Sequence, residues 1–224
     1  MLPDAILLDF DGTLVDTAPD FIAALNRLLA ERGHPAVAQS AFRNLAGDGA
    51  KRLLMRALDH VGVPVPPEPK LMPEVKRLIQ YYYEGMTVAT RPFPGVVETL
   101  TSLHQGGASL AICTNKPQAP TDTLIGHFGL AALFGAVLGG DTVTAKKPDP
   151  LHLHEALERL GRSVDRAVMV GDSATDVAAA RAAGVPVVVV SYGYSPVPAH
   201  ELGGDVVIEH FSELPKALRR LFGR

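Results

Sequence analysis

Ala5-Ile6-Leu7-Leu8-Asp9-Phe10-Asp11-Gly12-Thr13 is the stretch on which the fold turns. Its first four residues form an unbroken apolar run, the mark of a strand covered on both faces rather than one with a wet side. Asp9 and Asp11 follow directly. Two residues apart, they can project to the same side as the chain leaves the strand, and Gly12 permits a sharp turn there. Taken alone, Asp-X-Asp-Gly is more often a polar strand end whose carboxylates cap a turn than a reaction centre.

Working outward, short β-branched or apolar runs recur at Ser109–Cys113, Ala167–Val170, Pro186–Val190 and Val206–Ile208. Helical patterns separate them. Leu153, Ala156, Leu157 and Leu160 share one face, and an Ala-rich helix through Val177 and Ala180 stops at Gly184. This alternation predicts an α/β fold, a parallel sheet with helices on both sides. From Thr17 to Thr90 no strand pattern appears. Pro19 suits the first turn of a helix carrying Phe21, Leu25, Leu28 and Leu29. A second helix is predicted from Gly49 to Leu58, and a third through Val75, Leu78, Ile79 and Tyr82, joined by a Pro-rich connection over Val63–Pro73. The expected organisation is a core of residues 1–16 and 88–224 with an inserted helical cap over 17–87.

Three more polar clusters stand at strand ends or just before a helix. Thr114-Asn115-Lys116 offers a hydroxyl and an amide to phosphoryl oxygens. Lys147 precedes Pro148, which stiffens its approach. Gly171-Asp172-Ser173-Ala174-Thr175-Asp176 places two carboxylates four apart where a helix starts, a pattern that helix capping also explains. Each has a plain reading as a polar turn. Four together at one edge of a sheet, where ligands of open α/β sheets bind, favour a common site.

The order Asp-X-Asp-Gly-Thr, Thr-Asn, Lys-Pro, Gly-Asp-Ser-X-X-Asp resembles the four-part signature of the haloacid dehalogenase (HAD) superfamily, including the inserted cap. Phe93-Pro94-Gly95-Val96, Gly139-Gly140-Asp141 and Tyr192-Gly193-Tyr194 extend the likeness toward bacterial phosphoglycolate phosphatases. The resemblance implies a HAD-like Rossmannoid core and a Mg2+-dependent phosphatase acting on a small phosphorylated metabolite. In that scheme Asp9 is the nucleophile, forming an aspartyl phosphate, and Asp11 the acid and then the base. Thr114, Asn115 and Lys147 bind the phosphoryl group. The metal ligands are Asp9, the Asp11 carbonyl and Asp172, with Asp176 and Ser173 behind them. A carboxylate about 4 Å from a phosphate dianion is repelled by roughly 8 kcal/mol at an effective dielectric of about 20, which a hard divalent cation reverses.

In the cap, Gly47-Asp48-Gly49 leads into a helix whose N-terminus can face an anionic leaving group, with Arg43 and Lys51 as nearby cations. For the two side chains, surface charges on a plain turn are the slightly better account. A sugar-phosphate phosphatase or a phosphomutase would share the same acidic residues and stays open. A dehalogenase or phosphonate hydrolase is disfavoured, because those relatives replace the second Asp and this chain keeps Asp11.

Composition adds exclusions. The chain has 224 residues, a formal net charge of −3, 6% aromatic residues and no Trp, so neither a basic stripe nor stacking platforms speak for nucleic acid. No apolar run approaches the ~20 residues of a membrane span. The N-terminus lacks an export pattern and Cys113 is the only cysteine, so a cytoplasmic protein is expected; nothing in the chain decides between monomer and homodimer. Cys113 itself, inside an apolar run, reads as a packing residue. His152 and His154 diverge on a helix and read as packing or surface residues, and Tyr81-Tyr82-Tyr83 as cap packing.

Overall fold

The structure, a computed structural model, describes residues 2–47 and 49–223. In chain order the first half contains β1 (Ala5–Leu8), β2 (Val15–Asp16), α1 (Ala18–Glu31), α2 (Phe42–Leu45), α3 (Gly49–His60), α4 (Glu68–Gly85), β3 (Arg91–Pro92) and α5 (Val96–Gln105). The second half contains β4 (Ser109–Cys113), α6 (Gln118–His127), β5 (Ala136–Leu138), α7 (Leu151–Leu160), β6 (Ala167–Gly171), α8 (Ala174–Ala183), β7 (Val187–Val190), β8 (Val206–Ile208) and α9 (Leu214–Phe222). The chain divides into two compact units. One comprises Met1–Val15, Pro92–Gly193 and Val197–Arg224; the other comprises Asp16–Arg91 with Tyr194–Pro196.

The first unit is built on a parallel sheet of order β5-β4-β1-β6-β7-β8. β1 lies between β4 and β6, so connections depart to either side of it. Such a switch point opens a crevice beyond the strand's carboxyl end. The register sets Leu8 level with Ile112 and Val170. Asp9, Thr114 and Asp172 therefore emerge along one edge.

Both faces of the sheet are covered. Leu7, Cys113, Met169 and Val189 pack in one cluster with Leu153 and Leu157 of α7 and Val177 and Ala180 of α8. Their neighbours along the strands, Ile6, Leu8, Ile112, Val168 and Val190, are buried as well. Each such side chain contributes about 1.5–3 kcal/mol on leaving water, which explains why the strands carry no alternation. α8 ends at Gly184 in the left-handed region, φ 73°, as its position predicted.

The chain departs from the expected pattern at three places. The structure adds a strand at Ala136–Leu138, a run that glycines at 135 and 139 make look like part of a loop. Pro186 lies just outside β7. The Pro-rich connection is shorter than expected, since α4 starts at Glu68, takes Pro69 into its first turn and carries Pro73 inside.

In the helical unit, Phe21 of α1 stacks on Tyr82 of α4 with centroids 4.0 Å apart. Tyr81 donates its hydroxyl to Glu31, whereas Tyr83 is 44% exposed, so the tyrosine run is only partly packing. Asp20 accepts the amides of Ala89 and Thr90, closing the unit on itself. Tyr194 completes it: its hydroxyl accepts the amides of Thr17 at 2.7 Å and Ala18 at 3.0 Å and donates to Asp16 Oδ1 at 2.6 Å. Among the described residues no helix is long and apolar enough to cross a membrane.

Candidate active site

Strand pairing continues one residue past β1, with the Asp9 amide donating to the Val170 carbonyl at 2.9 Å. That bond fixes the backbone from which the Asp9 carboxylate projects. Lys147 Nζ donates to Asp9 Oδ1 at 2.8 Å and to Asp176 Oδ1 at 2.6 Å, with 2% of the lysine side chain exposed. Burial pushes the Asp9 carboxyl up to about 6; Lys147 opposes the rise and Asp176 adds to it. Burial also works against the Lys147 charge, but Asp176 and Asp9 outweigh it and hold the ammonium above the usual lysine range.

Asp176 Oδ2 accepts the hydroxyl of Ser173 at 2.6 Å and the amides of Ser173 and Asp172 at 3.0 and 3.2 Å. In return the Asp176 amide donates to the Ser173 hydroxyl oxygen, forming a capping box at the start of α8. One carboxylate thus caps the helix with one oxygen and grips the buried lysine with the other. Gly171 makes the fold-back possible: a Cβ there would lie 2.4 Å from Asp176 Cγ. A Cβ on Gly193 would lie 2.2 Å from the Cβ of Asp172. The Thr13 hydroxyl reaches Asp172 Oδ1 at a long 3.4 Å.

The Thr114 hydroxyl accepts the Lys116 amide at 3.2 Å. Asn115 donates its side-chain amide to the Lys147 carbonyl at 2.8 Å, so it braces the lysine loop, a contact the sequence did not announce. Asp11, at the lip, has both carboxylate oxygens 3.1 Å from Lys116 Nζ.

The family description "haloacid dehalogenase-like hydrolase" matches residues 6–190. The chain belongs to that family. A phosphoglycolate phosphatase of Caulobacter vibrioides is 44% identical over 95% of this chain and 89% of its own length. The crystal structure of a predicted phosphoglycolate phosphatase from Haemophilus somnus superposes with a TM-score of 0.87 at 30% identity, covering 96% of this chain and 97% of its own. A mutant of CbbY from Rhodobacter sphaeroides, in complex with xylulose-1,5-bisphosphate, superposes with a TM-score of 0.76 at 27% identity, covering 95% and 96%. This hydrolase sits among the phosphatases of its family.

Asp9, Asp172 and Asp176 of the hydrolase bring one oxygen each within 4.8 Å of one another. Three carboxylates face one buried ammonium there, leaving two negative charges in excess when all are ionised. Burying such an excess is costly unless it is neutralised. Hard oxygen donors and a deficit of two positive charges fit a divalent cation of the magnesium type. Asp176 already spends its oxygens on Lys147 and Ser173, which suits it to a supporting position behind Asp9 and Asp172.

Of the residues predicted in the insertion, Arg43 lies on α2, Gly47 at a bend with φ 116°, and Gly49 at the first position of α3. Asp48 lies outside the described residues. Lys51 pairs with Glu68 at the surface of its own unit, with 43% of its side chain exposed. Cys113 is fully buried, which drives its thiol up to about 12 and away from nucleophilic use. His152 is fully buried, its Nε2 3.2 Å from the Leu138 carbonyl, while His154 is exposed. The sequence did not single out Lys116, Thr13 or Tyr192, whose hydroxyl donates to the Thr13 carbonyl at 2.8 Å. No local pattern marks a lysine for burial: Lys116 and Thr13 stand within the polar clusters read from the residues but carry no role there, and Tyr192 appears only in a stretch that carries the family likeness.

Proposed function

We propose that this protein hydrolyses a small phosphate monoester, 2-phosphoglycolate first among candidates, through an aspartyl phosphate on Asp9 and with Mg2+. The observation that carries the proposal is the Asp9–Lys147–Asp176 centre at the carboxyl end of β1, with Asp172 beside it and Asp11 at the lip. In the first half-reaction an Asp9 oxygen bonds to phosphorus as the phosphorus–oxygen bond to the leaving group breaks. The leaving oxygen keeps the electron pair and takes a proton from Asp11. In the second, a water oxygen bonds to phosphorus, the bond to Asp9 breaks, and the water's proton returns to Asp11. Lys147 holds Asp9 in line and offsets charge on the transferring group, and Thr114 and the turn around Asn115 provide donors to its oxygens. Asp9, the Asp11 carbonyl and Asp172 would hold Mg2+, which when bound neutralises the carboxylate–phosphate repulsion. The helical unit is proposed to act as a cap that selects the leaving group, with the segment from Gly47 to Lys51 and Arg43 as its contacts.

The phosphoglycolate assignment draws on the 44% identical relative. A sugar phosphate is the second reading, favoured by the bisphosphate bound in the Rhodobacter neighbour. A panel of phosphate monoesters, assayed with Mg2+ and with chelator on wild type and Asp9→Asn, tests both. Phosphoglycolate should lead, chelator should abolish turnover, and Asp9→Asn should lose about 10^4-fold or more. A sugar phosphate in the lead would replace the substrate and leave the mechanism standing; an active Asp9→Asn would end the mechanism.

A further inference from the structure

Lys116 carries out no step above, yet it is the second buried lysine at this edge of the sheet. It is 8% exposed overall, its side chain 4%. An ammonium removed from water to that degree needs a partner, and here the partner is the carboxylate of Asp11, met by both oxygens at 3.1 Å. The lysine is held at its root as well. Its amide donates to the Thr114 hydroxyl at 3.2 Å and its carbonyl accepts the Gly140 amide at 2.9 Å. Gly140 approaches because it has no side chain: a Cβ would stand 2.6 Å from the Asn115 carbonyl oxygen. The far end of the pair is less confined, with 28% of the Asp11 side chain exposed at the lip. A short carboxylate in that position can turn between rotamers unless something fixes it.

We propose that Lys116 is the positioning residue for Asp11, aiming the carboxylate that gives and then takes the proton. The proposal rests on the acid–base role given to Asp11 above. A side chain misaimed by an ångström costs about 10²-fold in a positioned reaction. An inert ion pair would cost nothing beyond stability.

The test compares wild type, Lys116→Met and Lys116→Gln on two esters in the presence of Mg2+. The first is phosphoglycolate, an alkyl ester whose leaving oxygen needs a proton. The second is 4-nitrophenyl phosphate, whose leaving phenolate does not. Both variants should lose about 10- to 100-fold in kcat on the alkyl ester. On the aryl ester, rapid quench should show phosphorylation of Asp9 slowed by no more than about threefold, because that step bypasses the acid. Phosphate release should then lag behind nitrophenolate, because water attack still needs Asp11. In an Asp11→Ala background, Lys116→Met should cause no further loss. Equal losses on both esters at the phosphorylation step, unchanged kcat on the alkyl ester, or full additivity with Asp11→Ala would each overturn the proposal. A failure of the underlying reading shows differently: Asp11→Ala alone would then leave the preference between the esters as in wild type. Lys116→Gln keeps a donor without the charge and reads the same quantities if Lys116→Met does not fold.

Discussion

Lys147 sits between Asp9 and Asp176 with 2% of its side chain in water, whereas Arg27 with Glu84 and Arg77 with Glu31 leave about half of each arginine exposed. The first set belongs to the sheet unit and the second to the helical unit. Chemically the pairs are alike. What differs is the solvent around them, and solvent decides what a charge pair does. In water it is screened and contributes little. Out of water its members depend on one another, and losing one leaves the others stranded.

Lys147→Met breaks the buried set and should give the largest effect on stability. It leaves the carboxylates of Asp9 and Asp176 buried without the ammonium they share, so unfolding in denaturant should show a loss of about 3–5 kcal/mol. A loss no greater than that of a surface pair would erase the contrast between the units.

His152 sharpens the contrast from the neutral side. Burial, with Lys147 nearby, lowers its pKa from 6.5 to about 4. The folded chain therefore binds this proton more weakly than the unfolded chain, and acid favours unfolding. The contribution is complete above about pH 6.5, diminishes as pH falls and is gone below about 4; it amounts to about 3 kcal/mol. Denaturant midpoints across that window should slope accordingly in wild type and flatten in His152→Gln.

Metal binding should follow the acidic centre. Any cation on Asp9 competes with a proton bound with a pKa of about 6. Mg2+ affinity measured by calorimetry should be flat above that pH and weaken by about tenfold per unit below it. Affinity independent of pH down to about 4 would place the cation elsewhere. The smallest effect belongs to the helical unit: Lys51→Ala removes an exposed pair with Glu68 and should shift the melting temperature by no more than about 1 °C.

The sheet was legible because its four central strands are unbroken apolar runs of four or five residues, and the acidic motifs because each follows such a run directly. Ala136–Leu138 escaped because Gly135 and Gly139-Gly140 close on it from both sides and make it read as part of a loop. The start of α4 escaped because prolines at 67, 69 and 73 read as a linker, although helices tolerate proline in the first turn. Asp9, Lys147 and Asp176 could be nominated from spacing, but the brace from Asn115 to the Lys147 carbonyl and the pairing of Lys116 with Asp11 join residues 32 and 105 positions apart. Contacts of that reach are set by the sheet's register, and no window along the chain contains them.

The glycines beside the acids carry a consequence for inheritance. At 171 and 193 a single methyl group would collide with Asp176 or Asp172. Glycine has no smaller neighbour in the genetic code, so every missense change at either codon adds bulk. These two positions offer drift no neutral step, and a lineage that lost either one would have to rebuild its acidic centre around the intruder.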